Sequence, residues 1–163
     1  MKKSKFKFLT VSLIILLMMS PVVASANILS WHLVDGGKHL DWKNESDYRS
    51  HVVGAMNTWN NHKSGVIRED SWKTIRDVLV QNMNEASNTR GLTSSNGYIK
   101  LNKYHLDNDT WSAVRSTVTH EFGHALGIAH TPGSSDVMYM YGNSATTLKT
   151  NDKNGYNKSY NRY

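Results

Sequence analysis

Residues 120 to 130 read His-Glu-Phe-Gly-His-Ala-Leu-Gly-Ile-Ala-His. No other stretch constrains the fold so sharply, because it must bring three imidazoles to one point. On a helix, His120 and His124 lie one turn apart on the same face, so both rings can reach one ion. Glu121 sits beside them, able to reach a water on that ion without ligating it. Gly127 tolerates the left-handed backbone by which a chain leaves a helix, and that sharp exit can return His130 to the same ion. Three neutral His nitrogens with one open position make a catalytic zinc shell, whereas structural zinc sites are closed by four protein ligands. Two surface His on an amphipathic helix would explain His-Glu-x-x-His alone. Requiring Gly and His at two further places cuts chance matches roughly another thousandfold.

The other histidines, His32, His39, His51, His62 and His105, share no tight ligand spacing and are expected in surface or capping roles. Cysteine is absent, which excludes thiolate zinc, a disulfide scaffold, a Cys nucleophile and a cysteine-based latency switch. The chain has 163 residues, one domain's worth, and its five Trp and eight Tyr oppose disorder of the whole. Its net charge of +6 comes from 19 basic and 13 acidic residues. Lys2, Lys3, Lys5 and Lys7 supply four of the positives; without them the balance is 15 − 13 = +2. The basic character is therefore mostly a leader effect, and no nucleic-acid partner is expected.

Those lysines open a targeting segment. Phe8 to Met19 is apolar apart from Thr10 and Ser12, Pro21 ends it, and Ala24-Ser25-Ala26 offers the small residues that signal peptidase inspects. The apolar stretch is shorter than the roughly 20 residues needed to span a bilayer. Residues 1–26 are thus expected to be a signal peptide. Residues 27–163 are expected to be one secreted, extracellular and monomeric catalytic domain that leaves the membrane after cleavage. What remains is too short for a prodomain as well.

Along the mature chain, Ile28 to Val34 alternates loosely and predicts a strand closed by Asp35-Gly36-Gly37. Ser46 or Asp47 can cap a helix carrying Val52, Ala55, Met56 and Trp59 on one face to about Asn61. Val66-Ile67 predicts a short strand, and Ile75 to Val80 a buried one. Asn84 to Asn96 is rich in Asn, Ser and Thr and reads as loop. Tyr98 to Leu101 predicts another strand. Asp109 or Thr110 caps a helix from Trp111 to about Leu126. Thr150 to Tyr163 reads as either a short helix or a frayed tail.

On the His120–His130 motif the chain resembles the metzincin metallopeptidases, and its length and local wording resemble a minimal matrixin catalytic domain. Ser135-Asp136-Val137-Met138-Tyr139 follows at the interval of the metzincin Met-turn, with Met138 as the turn methionine. Asn151 to Tyr156 is similar to the start of the matrixins' final helix, where an acidic residue, here Asp152, braces that turn. The first acid of the usual pair is Asn151 here. The resemblance covers most of residues 27–163, although only residues 120–139 are specific. It implies an α+β zincin fold: a small twisted, mostly parallel sheet, a backing helix, the active-site helix and a C-terminal helix.

Departures narrow the subgroup. Astacin- and serralysin-like relatives carry Tyr two places after the turn Met. That place is Met140 here, with Tyr139 and Tyr141 on either side, so a fifth Tyr ligand is not expected. The matrixins' His/Asp run for a second zinc is missing. Calcium sites are not readable; Asp107, Asn108 and Asp109 are candidates, with capping and turn roles as the alternative. A Glu third ligand is ruled out because Glu121 is the last Glu. Asp136 and Asp152 follow, but His130 is the better-placed ligand.

The resemblance implies peptide-bond hydrolysis with one Zn2+. The metal polarises the carbonyl and acidifies its water; Glu121 acts as general base and then passes the proton to the leaving amine. The substrate, a protein or peptide, would add a strand along the sheet edge near Tyr98 to Leu101, with Tyr139 and Tyr141 lining the pocket past the scissile bond. Two alternatives stay open: a secreted zinc-binding or adhesion protein without turnover, and a zinc amidase acting on cell-wall peptides. Retention of Glu121, which a mere zinc binder does not need, counts against the first.

Overall fold

The architecture follows from where the chain can bury its apolar residues. The computed structural model describes residues 28–72 and 75–163, so the expected signal peptide lies outside the described residues. The elements are β1 (Leu40–Glu45), α1 (Arg49–Asn60), β2 (Ile67–Glu69), β3 (Val78–Met83), β4 (Gly91–Ser94), β5 (Tyr98–Asn102), α2 (Lys103–Leu106), α3 (Trp111–Ala125) and α4 (Thr150–Tyr160). The strands form one sheet in the order β2-β1-β3-β5-β4. All neighbours run parallel except β4, which is antiparallel to β5. The class is α+β with a mostly parallel sheet, as expected.

The central strand β3 begins Val78-Leu79-Val80, and all three residues are buried. A strand enclosed on both faces reads as a continuous apolar run, because helices cover parallel sheets. α1 presents Val52, Ala55 and Trp59 as its buried face. The Trp59 indole N–H donates to the Thr119 carbonyl at 2.9 Å, which ties α1 to α3 through a buried polar atom. At Gly54 the absence of a Cβ leaves room for the Arg115 guanidinium, whose Nη2 donates to Ser50 O at 2.9 Å.

Several sequence expectations are corrected. Ile28 to Val34 is not a strand of the sheet. It makes only an isolated bridge from Ile28 to Ile128, with Leu29 N donating to Gly127 O and Leu33 N to Ala125 O. Val34 joins the core instead, with Leu33 packed against it. The first strand is β1, where Asp41 is buried between apolar neighbours because Arg68 bonds both its oxygens at 2.8 Å. The α1 N-cap is Tyr48, without a side-chain cap; Ser46 Oγ instead accepts the Tyr48 N–H at 3.3 Å. The segment from Asn84 to Asn96 contains β4, an edge strand of the sheet that pairs with β5. The polar C-terminus forms α4, anchored by buried Tyr156 packing edge-on against Trp59, with ring centroids 5.4 Å apart. Among the described residues, no helix is long and apolar enough to cross a membrane.

Candidate metal centre

Thr110 starts α3 by accepting the Ala113 N–H, and the helix carries His120 and His124 to its last turns. It stops at Gly127, where φ is +81°. Gly127 N donates to His124 O at 2.8 Å and Ile128 N to Gly123 O at 2.9 Å. This paired arrangement is the Schellman stop, which needs a left-handed residue at the glycine position. The site is also crowded, because a Cβ on Gly127 would lie 2.6 Å from Ser159 Oγ. The turn swings His130 back beside the helix.

His120, His124 and His130 each offer a ring nitrogen, and those atoms lie within 4.8 Å of one another. Ring centroids are separated by 4.7, 4.9 and 5.1 Å. His120 Nδ1 lies 2.8 Å from Val137 O, and His124 Nδ1 lies 2.9 Å from Ile128 O. A carbonyl only accepts, so each Nδ1 carries the proton and each Nε2 keeps a free lone pair. Burial pushes His120 down to about 3 and His124 down to about 4, and lowers His130 as well. Neutral imidazoles converging on one point, two of them fixed in tautomer, are the donor set that zinc requires, so these residues fit the metal.

Glu121 is buried, and burial pushes its carboxyl up to about 7 against an opposing hydrogen bond from Thr93. It borders a cleft of about 430 Å³ that also meets His120, His124, His130, Tyr139 and Tyr141. Tyr139 and Tyr141 meet edge-to-face, ring centroids 5.4 Å apart. Met138 is buried behind the triad, its Sδ and Cε filling the space beside Gly123. Asp152 reaches over from α4: Oδ1 accepts Met138 N at 2.9 Å, while Oδ2 accepts Val137 N at 3.1 Å and Lys149 N at 2.8 Å. Asn151, where an acid would be usual, donates to Asp136 Oδ2 at 2.8 Å.

Of the calcium candidates, Asp107 accepts the Tyr48 hydroxyl at 2.6 Å and lies beside Lys103. Asp109 is paired with Arg90. The sequence reading missed Leu29, Trp31, Arg90, Gly91 and Thr93, all of which line the cleft. Alternation in Gly91-Leu92-Thr93 was the available signal, masked by polar neighbours on both sides.

With this geometry in hand, the comparisons are informative. The matrixin family model matches residues 36–161. Over 50 residues the chain is 42% identical to the "Putative matrix metalloproteinase" of Spodoptera frugiperda ascovirus 1a, a match spanning 27% of this chain and 13% of that protein. The structure resembles archaemetzincin from Methanopyrus kandleri, with TM-score 0.57 at 14% identity over 79% of this chain and 99% of that one. It also resembles high choriolytic enzyme 1, a hatching-enzyme zinc protease from Oryzias latipes, with TM-score 0.51 at 14% identity over 80% and 94%. At such identities these two structural matches speak for the fold alone.

Proposed function

Because the chain belongs to the matrixin family, we propose that it is a secreted zinc-dependent endopeptidase in which His120, His124 and His130 hold the metal and Glu121 is the general base. The observation that carries this reading is the convergence of three neutral imidazoles beside one buried carboxylate in an open cleft. Zinc bound there would supply Lewis acidity towards a scissile carbonyl and acidify the attacking water.

The chain's own residues do the rest. Val137 O and Ile128 O hold the His120 and His124 rings in one tautomer and one orientation. Glu121 takes the proton of the attacking water and returns it to the departing amine. Burial raises the carboxyl from its ordinary range, which strengthens it as a proton acceptor. An extended peptide pairs with the open edge of β4, across the cleft from Tyr139 and Tyr141, which line the pocket past the scissile bond. Gly127, Met138 and Asp152 support the metal turn from beneath. Residues 1–26 direct export, and the remainder acts outside the cell as a monomer.

The test is metal analysis of the purified protein together with cleavage of a random peptide library. One zinc per chain and cut peptides are expected. Zinc without cleavage would favour the binding-protein reading, and cleavage confined to cell-wall peptides would favour the amidase.

A further inference from the structure

Glu121 is gripped from outside its own helix. Thr93 Oγ1 on β4 lies 2.7 Å from Glu121 Oε2 and 2.9 Å from the Glu121 carbonyl oxygen. Both oxygens accept in this pair, so the single hydroxyl proton serves one at a time, and the shorter contact is the one to the carboxylate. Two residues earlier on the same face, Gly91 comes so close that a Cβ would sit 2.7 Å from Glu121 Oε1 and 2.9 Å from its carboxyl carbon. Leu92, between them, points the other way and is 50% exposed.

The ladder adds a second relationship. Asn102 N donates to Arg90 O at 2.9 Å. Bonded pairs alternate along an antiparallel ladder, so Leu92 and Ser94 turn their backbone groups to β5. Gly91 and Thr93 therefore turn theirs to the open edge. The two residues able to pair an incoming extended chain are the same two that touch the Glu121 carboxylate.

We propose that Gly91 and Thr93 are positioning residues for Glu121. The Thr93 hydroxyl orients the carboxylate through Oε2, and Gly91 leaves the space into which Oε1 fits. Peptide docking and proton transfer then share one rigid strand. This inference rests on the peptidase reading with Glu121 as general base.

The experiment measures kcat, KM, zinc content and thermal midpoint for wild type, Thr93→Val, Thr93→Ser and Gly91→Ala, on one peptide cut by the wild type. Thr93→Val keeps the shape and both edge-facing backbone groups but loses the hydroxyl. Its kcat should fall about tenfold or more with KM within about twofold, because a small misplacement of a catalytic group is costly while docking is untouched. Zinc content should match wild type, and the midpoint should fall modestly, since a buried acceptor loses its donor, and recover in Thr93→Ser. Thr93→Ser should restore kcat to within about threefold of wild type, and Gly91→Ala should lower kcat with zinc retained. A Thr93→Val variant with wild-type kcat overturns the inference, as does one whose loss appears in KM or follows loss of zinc. A wild type that holds zinc and cuts nothing overturns the peptidase reading itself, a result that cannot be mistaken for the others.

Discussion

Asp152 Oδ1 accepts the Met138 N–H at 2.9 Å across fourteen residues of sequence, so α4 holds the turn that lies beside the three-His site. With the Val137 and Lys149 N–H groups on Oδ2, the carboxylate satisfies three backbone donors, two of them buried. Asp152→Asn would set an NH2 against an N–H that needs an acceptor. Leaving a buried donor unmatched costs about 1–3 kcal/mol. Urea unfolding should show a lower midpoint with an unchanged slope; a midpoint equal to wild type would contradict the bracing role.

Gly123 faces the Met138 thioether and the edge of Trp59, with no room for a Cβ. Alanine is the better helix former by nearly 1 kcal/mol in an open helix. Here overpacking should outweigh that gain and give a net loss of about 1–3 kcal/mol. Gly123→Ala should melt lower than wild type, and a higher melting point would mean that the methionine yields freely.

The metal-free protein should weaken in mild acid. In the unfolded chain, imidazoles take up protons near ~6.5, while His120 and His124 resist until about 3 and about 4 because burial penalises their charged form. Between these limits the unfolded state binds more protons, so stability falls as pH falls and levels off above about 6.5. From pH 7 to pH 5 the two imidazoles cost about 2 kcal/mol each, while Glu121, whose buried carboxyl takes up a proton in the folded state near 7, returns about 2 kcal/mol, so the net loss should be on the order of 1–2 kcal/mol. Guanidinium midpoints with chelator present decide this. A midpoint that holds or rises at pH 5 in the wild type, with the same behaviour in His120→Gln, would refute it.

Glu121 separates enzyme from binder. Glu121→Ala leaves all three imidazoles in place, so zinc content should match wild type. Peptide cleavage should drop by about 10²–10⁴-fold, the usual worth of positioned acid–base catalysis. His124→Ala should instead lose most of the zinc. Wild-type turnover in a zinc-replete Glu121→Ala preparation would remove Glu121 from the mechanism.

The metal helix was legible because its demands are local. Thr110, His120, His124 and Gly127 lie within eighteen residues, and helical spacing alone relates them. The strands were harder to read. In β1, buried Asp41 breaks the apolar alternation, and its partner Arg68 comes from another strand. In β4, Gly91 and Thr93 earn their place from a carboxylate on α3, thirty residues away, rather than from any pattern of their own. Ile28 to Val34 misleads in the opposite sense: its alternation suits a sheet, yet its backbone bonds go to the turn after α3. Local periodicity reports burial, but not what a segment is buried against.

The turn at Gly127 is also where the two ends of the described chain meet. Leu29 N donates to Gly127 O, while Ser159 Oγ and Tyr163 Oη both donate to Leu126 O, at 2.7 and 2.8 Å. Arg162 Nη1 then bonds Leu29 O at 2.8 Å, joining one end to the other. Segments from both sides of the sequence thus clasp the loop that delivers His130. Trimming the last five residues should loosen His130 although none of them enters the cleft.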